Sequence, residues 1–161
     1  MGKYLQDLMY RVQLPVGQKK FIPHQQLVVR STSFLENIFN FYLPPRYEVG
    51  QDIWRIIVNL TLDEKIDFNI VVSGFVIELN IYFDYNLLIH LDEFNRKKIL
   101  LIQFCRGLEF ICQKYSCDFS VFEAIKQKLI LYNLVYHDFY KDKKSSPYKQ
   151  HFVQMKGFYA E

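Results

Sequence analysis

The groups in this 161-residue chain that could carry chemistry are four histidines, three cysteines and a set of carboxylates, and their spacing argues against most reactions. His24, His90, His137 and His151 never stand three or four residues apart, so no helix brings two of them to one metal ion. The chain has no His-Glu-x-x-His, no Cys-x-x-Cys and no Gly-x-Ser-x-Gly turn. Its six glycines are scattered, so no phosphate-cradling loop is spelled. No cofactor and no metal is implied. His90 with Asp92 and Glu93 forms the one compact acid–base set. Its plainer reading is a polar junction between a strand and a helix. His137-Asp138 reads in the same way, as an exposed helix end. Cys105 and Cys112 are seven residues apart on one apolar helix face and act as small hydrophobes. With Cys117 they make an odd number, expected as reduced thiols in a cytoplasmic protein.

The carboxylates are distributed unevenly. Residues 51–95 hold eight acids and two bases, whereas residues 96–161 hold twelve bases and six acids. The net charge of +3 therefore hides an acidic centre between basic flanks. The most basic run, 141–149, carries Lys141, Lys143, Lys144 and Lys149, with Tyr136, Phe139, Tyr140 and Tyr148 around it. Lysines with aromatics are the composition of a single-strand nucleic-acid site. The acidic centre disfavours a polyanion, and a solvated loop is the simpler reading.

Elements must position these groups, and the clearest lie at Ile53 to Asp84. Trp54, Ile56, Val58, Leu60 and Leu62 alternate with Arg55, Asn59 and Thr61, with Ile57 the one apolar intruder. Phe68, Ile70 and Val72 repeat the pattern, and Phe75, Ile77, Leu79, Ile81 and Phe83 repeat it again after Ser73-Gly74. Period two marks strands with one buried face. This face pattern turns Glu78, Asn80, Tyr82 and Asp84 outward.

Helices flank the strands. Ser33-x-x-Glu36 spells a capping box, and Phe34, Leu35, Ile38, Phe39 and Tyr42 follow at helical spacing until Pro44-Pro45. Asp92 or Asn95 caps a long helix whose apolar side runs Leu100, Leu101, Phe104, Leu108, Ile111, Cys112 and Tyr115. Arg96, Lys97, Gln103, Arg106, Gln113 and Lys114 fill its polar side. Gly107 within it costs roughly 1 kcal/mol against alanine and suits a close approach to the sheet. Ser120-x-x-Glu123 opens another helix with Phe122, Ile125, Leu129 and Tyr132 on one face. Short strands are expected at Arg11–Val16 and Leu27–Arg30, and a last one at His151–Tyr159.

The expected architecture is α+β in a single domain over residues 1–161. It has a mostly antiparallel sheet, a meander at 53–84, with two or three helices packed on one face. Half the residues are hydrophobic and 17% aromatic, which excludes disorder. A chain of this length buries about 68–70% of its unfolded surface, enough to fold without disulfides or metal. Met1–Tyr10 has no secretory pattern, and no apolar run approaches the ~20 residues of a membrane span. A cytoplasmic protein away from membranes is expected.

The stretch Ile53–Asp84, followed by "DEFNRKKILLIQFCRGLEFICQKY" from Asp92 and "DFSVFEAI" from Asp118, resembles the immunity proteins of bacterial polymorphic-toxin and contact-dependent growth-inhibition systems. The resemblance is one of layout and covers about half the chain. It implies a cytoplasmic α+β domain without catalytic residues that binds one cognate toxin and blocks it. Nuclease-blocking members are strongly acidic, whereas here only the centre is. On this reading the partner-binding residues are Glu78, Asn80, Tyr82 and Asp84, helped by Asp63, Glu64 and Tyr85. The partner is a protein with a basic surface. Two other readings remain: a nucleic-acid-associated protein using the 141–149 loop, and a small enzyme built on His90, Asp92 or His137.

Overall fold

The computed structural model describes residues 4–50 and 52–134. Strand β1 (Asp7–Val12) leads to helix α1 (Pro23–Tyr42), strand β2 (Arg55–Thr61), strand β3 (Asn69–Ser73), strand β4 (Val76–Tyr82), helix α2 (Glu93–Tyr115) and helix α3 (Ser120–Leu131). Single 3-10 turns lie at Glu64–Ile66 and Tyr85–Leu88. Among these residues no helix is long and apolar enough to cross a membrane. The expected loop at 141–149 and strand at 151–159 lie outside the described residues.

The α+β class holds, but the sheet is mixed. Its order is β1-β2-β4-β3, with β1–β2 and β2–β4 parallel and β3–β4 antiparallel. The expected antiparallel meander is therefore corrected. Its strands are present, but the order β2-β3-β4 is not. Alternation marks a strand and its buried face; it carries no information on pairing direction. Burial decides the arrangement. In β4 the side chains of Ile77, Leu79 and Ile81 are fully buried, while every residue of β3 except Ile70 is exposed. The better apolar strand takes the centre and β3 takes the edge. Residues 62–68 carry the chain past the central slot, and Gly74, at φ +61°, turns β3 back into it.

Helix α1 begins ten residues before the Ser33 box. Pro23 occupies its first position, where a missing N–H costs nothing. Gln25 Oε1 accepts from the Ile22 N–H at 3.2 Å. The strand expected at Leu27–Arg30 is thus helical, because buried Val28, Ser31, Thr32 and Leu35 continue one helical face. The stop is as expected: Leu43, before Pro44, is extended. The strand expected at Arg11–Val16 instead covers Asp7–Val12. Its outer edge is finished by α1 side chains. Asn40 accepts from Leu8 N–H at 2.9 Å and donates to Leu8 C=O at 2.8 Å, and Glu36 accepts from Tyr10 N–H at 2.8 Å.

The helices and one face of the sheet enclose a single apolar cluster. Phe104 of α2 stacks on Tyr10, with centroids 4.3 Å apart, and meets Phe39 edge-on at 4.9 Å. Gly107 lets α2 come down on the strands. A Cβ there would lie 2.9 Å from Ile81 Cδ1, 3.2 Å from Val58 Cγ1 and 3.3 Å from Leu79 Cδ2. Asp92 caps α2, accepting from Asn95 N–H at 2.8 Å. Helix α3 starts differently from the expected box. Ser120 Oγ donates to Asp118 at 2.7 Å instead of accepting, and the Glu123 N–H donates to the Phe119 carbonyl at 3.0 Å.

Candidate functional site

The sheet has a second face, and the register fixes its members. Side chains opposite the packed Ile56, Val58, Leu60, Ile77, Leu79 and Ile81 form rows across the strands. One row is Asp7, Arg55, Val76 and Ser73; the next is Met9, Ile57, Glu78 and Val71; the third is Arg11, Asn59, Asn80 and Asn69. Thr61 and Tyr82 complete the far end. Ile57 is only 6% exposed, yet it stands apart from the apolar cluster that the helices share. Asn59 Nδ2 donates to Asn80 Oδ1 at 2.9 Å, and Arg55 Nε meets Asp7 Oδ2 at 2.7 Å across the parallel pair. Arg55 also lies 4.5 Å from the Trp54 ring centroid.

This face is balanced in charge, since Asp7 and Glu78 are matched by Arg11 and Arg55. The acids collect instead at one end. Asp63 and Glu64 follow β2, Asp67 precedes β3 and Asp84 follows β4, with Lys65 among them. Because β3 runs against β4, all four stand where the parallel strands finish. Asp63, Glu64 and Asp67 are exposed. Lys19 and Lys20, on the loop that leaves β1, lie at the same end toward the other edge. The expected acidic outward face is thus an acidic end beside a neutral face.

The expected partner-binding residues therefore divide. Glu78 and Tyr82 are half-buried on the outer face. Asp84 is half-buried and accepts from Asn86 N–H at 3.2 Å. Asp63 accepts from Lys65 N–H at 3.0 Å and keeps the turn after β2. Glu64 is exposed within that turn. Two residues are corrected. Tyr85 is fully buried and donates to the Gln13 carbonyl, with its phenol pushed up to about 12 by burial and by the Asp84 charge. Asn80 is 7% exposed and spends its carbonyl on Asn59. Neither offers a side chain to a partner. Strand alternation puts Asn80 on the outer face, and it is buried there all the same.

Two of the residues named for an enzyme are described. His90 is exposed, and Asp92 is used as a helix cap. His137 lies outside the described residues. Among the described residues no group of histidine, cysteine and carboxylate side chains could hold a metal ion. Cavities of about 250 Å³ and about 210 Å³ are present, and neither is lined by His90 or Asp92. The larger lies between α1 and the first turn of α2. It is lined by Arg30, Arg96 and Lys97, with Glu93, Ser31, Leu27 and Phe34. Arg96, expected on the polar side of α2, is buried and donates to the Leu91 carbonyl at 2.8 Å and to Ser31 Oγ at 3.3 Å. Lys97 pairs with Glu93 at 2.6 Å and lies 4.0 Å from the Phe34 ring centroid. That ammonium holds the Glu93 carboxyl below its ordinary range. Reading α2 alone misses this notch, because Arg30 comes from a different helix.

Compared with family models, curated proteins and solved structures, the chain matches none.

Proposed function

We propose that this protein is an immunity-type inhibitor that binds a cognate protein toxin and covers its active site. The observation that carries the reading is the sheet face on which none of the three described helices packs, bordered by exposed acids at the strand ends. An open, half-apolar sheet with paired polar groups suits a hydrogen-bonded protein interface. Asp63, Glu64 and Asp67 beside it suit a partner whose contact surface is basic. Charges at such a border speed and orient the encounter more than they hold the complex. Glu78 and Tyr82 are the central contacts of this reading, with Asp84 at their margin. The protein acts by binding, in the cytoplasm of the cell that makes the toxin.

The test is co-expression with the toxin domain encoded immediately upstream, alongside binding of the purified pair. The triple variant Asp63→Lys, Glu64→Lys, Glu78→Lys is expected to lose protection and slow association by at least ~10-fold at low salt. Its unfolding midpoint should stay near that of the parent. Protection and association unchanged in a folded triple variant would remove this surface from the proposal.

A further inference from the structure

The C-terminal end of α2 brings two thiols into contact. Ser116 takes the left-handed conformation, at φ 57° and ψ 44°. Cys117 N–H then donates back to the Cys112 carbonyl at 3.0 Å. This six-residue closure ends many helices, and it sets the side chains of its first and last residues against each other, usually as an apolar pair. Here both are cysteines. Their Sγ atoms lie 2.7 Å apart, inside ordinary van der Waals separation, and both thiols are free. Tyr47 fixes the same turn. Its hydroxyl donates to the Asp118 carbonyl at 2.6 Å and lies 3.4 Å from Cys112 Sγ.

We propose that Cys112 and Cys117 are a closable dithiol, converted to an intrachain disulfide by exchange with a low-molecular-weight disulfide. Cys117 reacts first, because it is half-exposed while Cys112 is 4% exposed. Its thiolate attacks one sulfur of the small disulfide. That S–S bond breaks, a mixed disulfide forms on Cys117, and one small thiolate leaves and takes a proton from water. The Cys112 sulfur, giving its proton to solvent, then attacks the Cys117 sulfur and expels the second small thiolate. Two protein thiols are oxidised by two electrons in all, and one small disulfide is reduced to two thiols.

The surroundings support this order. The Cys117 thiol is lowered, first by its hydrogen bond with Cys112, which favours the attacking thiolate. The Cys112 thiol is raised, by the same contact and by burial, so Cys117 is the one that ionises first. Cys105 provides an internal control. It is 3% exposed, and burial pushes its thiol up to about 12.

The sequence supplies a readout. Lys114 lies between the two cysteines, so trypsin cuts the chain inside the proposed ring. The fully reduced protein is treated in native buffer with oxidised glutathione, blocked with an alkylating agent and digested. The expected product is the peptide starting at Gly107 joined to the peptide starting at Tyr115, separable only after reduction. Cys105 should be recovered alkylated. The joined product should form faster in native buffer than in denaturant, because the folded helix end holds the sulfurs together. Cys112→Ser should stop at a glutathione adduct on Cys117. A stable adduct on Cys117 in the parent protein would overturn the proposal. So would closure no faster in the native than in the denatured chain, or two thiols that stay free.

Discussion

The two faces of this sheet are made by the same strands from alternate residues, yet they are held by different physics. On one face Ile56, Val58, Leu60, Ile77, Leu79 and Ile81 join the apolar cluster shared with the helices, and Gly107 lets α2 come down on them. On the other, Asp7–Arg55 and Asn59–Asn80 are matched pair by pair, and the apolar Ile57 sits among them. The first face stabilises the fold by removing apolar area from water. The second mainly satisfies its own polar groups, and no described helix packs on it. The strand edges differ in the same manner. Asn40 and Glu36 occupy the backbone edge of β1, whereas β3 presents Val71 and Val72, 47% and 49% exposed.

Neighbouring residues on β4 give the sharpest test of the difference. Leu79→Ala is expected to cost about 2–5 kcal/mol, because it opens a cavity beneath α2. Glu78→Ala, one residue away, should stay within about 0.5 kcal/mol of the parent. Urea unfolding of both variants checks this, and similar losses for the two would erase the distinction between the faces. A smaller effect is expected from adding volume on the packed side. Gly107→Val drives a branched side chain into Ile81, Val58 and Leu79, at an expected cost of about 1–3 kcal/mol. Gly107→Ala should fall near zero, since a helix-propensity gain of about 1 kcal/mol opposes the crowding of the Ile81 and Leu79 tips and the Val58 methyl.

Much of the packed side was legible in the sequence. Periods of two and of three to four residues report which way side chains point, and the core of β2, β4, α2 and α3 follows from them. What was hidden depends on partners distant in sequence. Pairing direction leaves no trace in alternation, so β4 between β2 and β3 was not foreseen. The gathering of Asp63, Glu64, Asp67 and Asp84 follows only once that order is known. Ser33-x-x-Glu36 imitates a helix start, but Pro23 is the stronger signal and lies upstream. Tyr85 looks like surface because it follows outward-facing Asp84, yet it has turned inward to reach Gln13. The thiol contact has no sequence signal, because the left-handed residue that creates it is Ser116, not the usual glycine.

On the outer face the largest single term should be the amide pair. Asn80→Ala removes the acceptor for Asn59 Nδ2 in a position 7% exposed, at an expected cost of about 1–2 kcal/mol. A double-mutant cycle with Asn59→Ala measures the coupling, and a value near zero would mean that water replaces the bond freely.

The smallest effect is expected at Asp7–Arg55, and it is also the most informative about whether this face is open. The contact is 2.7 Å, with side chains 31% and 33% exposed. A pair so placed contributes about 0.2–1 kcal/mol, and Arg55 keeps its place over Trp54 when the carboxylate is lost. Asp7→Asn should therefore cost little at low salt. That cost should shrink further toward 1 M salt, where the screening length falls to about 3 Å. Unfolding curves of Asp7→Asn and parent at two salt concentrations make the measurement. A loss of several kcal/mol that ignores salt would place the pair out of water. The face would then be covered in the free protein, and a toxin would have to displace that cover before it could dock.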